Sequence, residues 1–93
     1  MEGKGNYKEL RITGTIFPAR LDDKGNPTRL VIDTTDQDEY FIDSNKKGKE
    51  LFDHMHQRVE LTGTVREDED GNYIINVRDY YLISEDENKK TYA

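Results

Sequence analysis

A chain of 93 residues has room for one domain around one modest core. Only 32% of its residues are hydrophobic, 37% are charged, and the net charge is −6, so bulk electrostatics repel phosphate backbones and anionic membranes. The absence of cysteine excludes disulfides, thiolate chemistry and Cys-ligated metals, and no apolar run is long enough for a secretory signal or a membrane span, so the expected location is the cytoplasm.

Residues 1–6 are rich in Gly and Lys and read as a flexible N-terminus. The domain is expected over 7–83. Its first strand runs over 7–21, with Leu10, Ile12, Gly14 and Ile16 on one face of a period-two pattern. Gly14 lets the strand coil sharply or lets a crossing strand approach closely. Pro18 lacks a ladder donor and places that stretch at an edge or a break. Residues 22–27 have the composition of a turn. The second strand, 28–34, sets Leu30 and Ile32 on one face and Arg29, Val31 and Asp33 on the other. After a turn at 35–38, a short strand over 39–43 turns Tyr40 and Ile42 inward and Phe41 outward.

The period then changes. Leu51, Phe52 and Met55 make a narrow helical stripe, which predicts a helix over 45–56 with Ser44 as its N-cap. Gly48 weakens it by about 1 kcal/mol relative to Ala. In the strand over 58–65, Val59, Leu61, Gly63 and Val65 alternate with Glu60, Thr62 and Thr64. The acidic segment 67–72 ends in Asp70-Gly71-Asn72, a hairpin signal. In the last strand, 73–83, Ile75 and Val77 are out of phase with Tyr80 and Leu82, and a bulge near Arg78 and Asp79 reconciles them. Residues 84–93 read as a disordered polar tail.

The motifs for catalysis and metal binding are missing. An EF-hand with Gly71 at its sixth place puts Arg66 and Val77 at the first and twelfth ligand positions, and neither can ligate calcium. His54 and His56 are two residues apart, so on a helix they point to different faces. No phosphate loop follows a strand and no nucleophile sits in an elbow. The chain is therefore expected to be no enzyme, with no cofactor and no bound metal.

The order strand, strand, strand, helix, strand, strand appears together with two glycine-bearing strands, Ile12-Thr13-Gly14-Thr15 and Leu61-Thr62-Gly63-Thr64. In these features the chain resembles the OB-fold superfamily, and among its members the small single-domain bacterial proteins of unknown function. An SH3-type barrel lacks a full helix at this position. The shared pattern of 9–32 and 58–77 has two readings, convergence and internal duplication, and both concern structure.

The resemblance implies an all-β five-stranded Greek-key barrel with one short helix between strands 3 and 4. The helix is then expected to close one end, with Leu51, Phe52 and Met55 against Leu10, Ile12, Val59 and Leu61. It also implies a non-catalytic binding module that uses the outer face of strands 2 and 3. The expected ligand-binding residues are Arg29, Val31 and Phe41, with Phe17 and Arg11 nearby. The negative charge favours a protein or small-molecule partner. The alternative is weak binding of single-stranded DNA or RNA, with a Phe stacking a base for about 1–3 kcal/mol. Two orientations of Phe17 and Phe41 stay open: both outward as one apolar spot, or one of them buried where a bulge shifts the phase. Lys46, Lys47 and Lys49 read as a solvated face.

Overall fold

The computed structural model describes residues 8–83. The expected flexible N-terminus at 1–6, Tyr7 and the expected tail at 84–93 lie outside the described residues. The elements are β1 (Lys8–Leu21), β2 (Pro27–Thr34), β3 (Glu39–Ile42), α1 (Lys46–Glu50), a 3-10 turn (Leu51–His54), β4 (Arg58–Glu67) and β5 (Tyr73–Leu82). The strands close into a barrel in the order β1-β2-β3-β5-β4. All neighbours are antiparallel except β3 and β5, which run parallel and touch through Phe41–Ile74 and Ile42–Ile75. β4 returns through the helix to lie beside β1, which is the Greek-key order.

β1 serves both halves of the sheet. Its first part pairs with β4 and its second with β2, and Gly14 and Thr15 pair on both sides. Of the two roles open to Gly14, close approach is the one realised. A Cβ at Gly14 would lie 2.3 Å from the Asp33 carbonyl oxygen, and one at Gly63 would lie 2.1 Å from that of Asn76. Just past Pro18 the β1–β2 register shifts on both sides of Arg20, as the missing donor requires. On β5 the register jumps from Asp79 to Val77, so Arg78 is the bulged residue. The bulge restores Tyr80 to the core phase and sends Arg78 to an ion pair with Glu9.

The core consists of Ile16, Leu30, Ile32, Ile42, Leu51, Val59, Leu61, Val65, Ile75 and Val77. Ile42 is buried and Tyr40 packs against this cluster, which leaves Phe41 on the outer face.

The helix departs from expectation in several ways. Asn45 is the N-cap, not Ser44: its Oδ1 accepts from the Gly48 amide at 2.9 Å. Its Nδ2 donates to Asn76 Oδ1 and to the Val77 carbonyl, both at 2.9 Å, so one side chain caps α1 and ties it to β5. Gly48 is buried, and a Cβ there would lie 2.0 Å from the Asp43 carbonyl oxygen, so contact with the chain outweighs its poor propensity. The expected helix over 45–56 is cut short. The chain tightens to 3-10 after Glu50, Met55 is extended, and His56 takes a φ of 67°. The His56 amide donates to the Ile16 carbonyl at 2.7 Å and the Ile16 amide to the Gln57 carbonyl at 3.1 Å, so pairing with β1 ends the helix. Leu51, Phe52 and Met55 do pack on the core, but Leu10 lines the opposite mouth of the barrel rather than meeting the helix.

Asn45→Ala removes the cap and both bonds to β5 together. A loss of about 2 kcal/mol is expected in urea unfolding. A change within error would show that the helix is held without Asn45.

Candidate functional site

An apolar row crosses the outside of the barrel. Phe17 of β1 pairs with Val31 of β2, Val31 with Phe41 of β3, and Phe41 with Ile74 of β5. Direct cross-strand partners share a face, and adjacent strands lie about 4.8 Å apart, so these side chains form one continuous strip. Phe17 is exposed, Val31 and Phe41 are half-buried, and Ile74 is buried. The strip is thus open at the β1 end and covered at the β5 end.

Arg29 follows Val31's parity on β2 and lies over Phe41, its guanidinium carbon 4.6 Å from the ring centroid. Its Nε is buried without a hydrogen-bond partner among the described residues. One π-face of Phe41 is therefore already occupied by a cation. Phe17 meets the His56 ring edge-on, with centroids 5.7 Å apart and planes at 74°.

The rim of the strip is polar. Asp33 and Glu39 are exposed cross-strand partners on one side. On the other, Asp43 accepts from Asn76 Nδ2 at 3.2 Å and pairs with Arg66 at 3.6 Å. The two hairpin turns frame the barrel with negative charge. In each, an aspartate Oδ1 accepts from the amides two and four residues on, Lys24 and Asn26 for Asp22, Asp70 and Asn72 for Asp68, all at 2.9 Å. These amides, that of Asn26 or Asn72 foremost, hold both carboxyls below the usual carboxylate range, and Arg29 adds to the effect at Asp68. Gly25 and Gly71 close the turns at φ values of 87° and 86°.

Of the residues expected at the face, Phe17, Arg29, Val31 and Phe41 come together. Phe17 and Phe41 both face outward, which removes the alternative of a buried ring. Arg11 stands apart: it is exposed where β1 pairs with β4, about 20 Å along the strand from Phe17. Among the three lysines of α1, Lys47 packs its ammonium 5.8 Å from the centroid of the Tyr80 ring. Tyr80 in turn donates its hydroxyl to Glu50 Oε1 at 2.7 Å.

Sequence reading does not single out Ile74, and it weighs Arg66 and His56 only as metal ligands, not as residues of this face. The Ile74-Ile75 pair is the one visible signal, since adjacent buried apolar residues in a strand require cover on both faces. Arg66 and His56 reach the strip only through barrel closure and the sharp turn after the 3-10 segment.

Among the described residues, no group of three or more His, Asp or Glu side chains is placed to hold a metal ion. No helix among them is long and apolar enough to cross a membrane. Comparison with protein families, with curated proteins and with solved structures finds no match.

Proposed function

We propose that this chain is a non-catalytic binding module of the OB-fold type, and that the outer face of β1, β2 and β3 receives a protein partner. The observation that supports this reading is the cross-strand row Phe17–Val31–Phe41 with Arg29 lying on Phe41. An apolar centre ringed by Asp33, Glu39, Asp43 and Arg29 has the anatomy of a protein interface. Aromatic and Arg side chains are also the residues that dominate binding energy there.

The test is retention of a partner on immobilised full-length chain, followed by direct titration of the purified partner. Val31→Glu puts an unpaired charge at the centre of the strip and is expected to weaken binding at least about tenfold. Lys49→Glu, on α1 away from the strip, is expected to leave binding unchanged. Equal affinity for Val31→Glu and the parent chain overturns the assignment of the face.

The stacked Arg29–Phe41 pair also favours a second reading, weak binding of single-stranded nucleic acid. Labelled oligonucleotide titrated at low and moderate salt separates the two. Saturable, salt-sensitive binding lost in Phe41→Ala or Arg29→Ala supports the second reading. Its absence at low salt leaves the protein partner, as the acidic rim suggests.

A further inference from the structure

The barrel end opposite the helix is an open recess of about 490 Å³, within the usual range of small-molecule sites. Tyr40 and Tyr73 stand at its wall because β3 and β5 are parallel neighbours and each tyrosine comes one residue before its strand's member of the Phe41–Ile74 pair. Their ring centroids are 5.9 Å apart and their planes meet at 42°, so the two rings form a corner rather than a stack. Leu10 and Val65 supply an apolar floor.

We propose that this corner binds an alkylated ammonium group, held against the π-faces of Tyr40 and Tyr73 beside the carboxylates at the mouth. Aromatic faces attract cations, and quaternary ammonium ions are the ones most readily taken from water. Glu67 and Asp68 line the recess. Asp36 and Asp38 share a separate, smaller recess with Tyr40; burial does most to raise the Tyr40 pKa, and Asp38, Tyr73 and Asp36 add to it in that order. Two cations also line the recess, Arg66 and Lys8. Arg66 is engaged by Asp43, and Lys8 sits at the lip, where it opposes a bound cation. Arg66 apart, the recess shares no residue with the outer strip.

The experiment is an NMR titration of the full-length chain with choline and with its neutral isostere, 3,3-dimethylbutan-1-ol. Choline is expected to shift Tyr40, Tyr73, Leu10 and Val65 saturably, with the isostere about fivefold weaker or more. Tyr73→Leu loses the discrimination, Tyr73→Phe keeps the ring and the binding, and Lys8→Gln tightens binding. Tyr73 is half exposed, so neither change threatens the fold. A short peptide carrying trimethyllysine identifies the source. Tighter binding than choline assigns the site to a methylated side chain, and equal binding assigns it to a free solute. Equal affinity for the isostere, indifference to Tyr73→Leu, or no saturable shifts at the recess overturns the proposal.

Discussion

Gly14→Ala is expected to be among the most damaging single-methyl changes in this chain, with a loss of about 3 kcal/mol or more in urea unfolding. The added Cβ falls 2.3 Å from a carbonyl oxygen of β2, and no rotamer change relieves a clash between two backbones. β1 is paired on both sides at this point, so it cannot retreat from β2 without breaking its ladder to β4. Gly63→Ala meets the same obstacle at the Asn76 carbonyl. Gly25→Ala is the control, because that position has a φ of 87° but open space around it. Its cost is the left-handed conformation alone, about 1 kcal/mol. A domain of this size has little stability in reserve. Gly14→Ala and Gly63→Ala therefore populate the unfolded state where Gly25→Ala does not. If all three variants unfold at the same urea concentration, the glycines are not points of strand contact and the account of barrel closure is wrong.

Leu51→Ala follows in size. Leu51 is fully buried in the core although it belongs to the short helical connection, so it is the residue that seals the barrel end. Truncation is expected to cost about 3 kcal/mol through lost burial and the cavity left behind. Phe52→Ala, from a side chain that only packs partly on the core, is expected to cost less. The same Leu51 variant should speed amide exchange across 45–57 before it affects β4, because the connection is otherwise tied down by Asn45 and by the Ile16 backbone. A cost below about 1 kcal/mol would mean that the barrel closes without its seal.

These two variants mark the boundary between what was legible in the residues and what was not. The alternation at Leu61, Gly63 and Val65 needs no tertiary contact to be read, and neither does the phase slip between Val77 and Tyr80 that Arg78 resolves. The helix was legible as a stripe but not in its ends. Its start depends on Asn45 reaching β5, and its early stop on His56 reaching β1. Neither partner is near in sequence, and propensity favours Ser44 and a longer helix equally well. Gly48 has the same character, since a mid-helix glycine reads as a flaw until the Asp43 carbonyl is found against it.

By itself, the sequence determined the number of strands, their order along the chain, the turns between them and most of the inward residues, because period, parity and turn chemistry are local properties; it did not show that Ile74 is buried or that Leu82 is exposed. Tertiary structure alone decided which outward residues meet. Cross-strand register joined Phe17, Val31, Phe41 and Ile74 and left Arg11 behind, and parallel pairing of β3 with β5 brought Tyr40 beside Tyr73. Register between distant strands depends on how the whole barrel closes, and no stretch of chain encodes that alone.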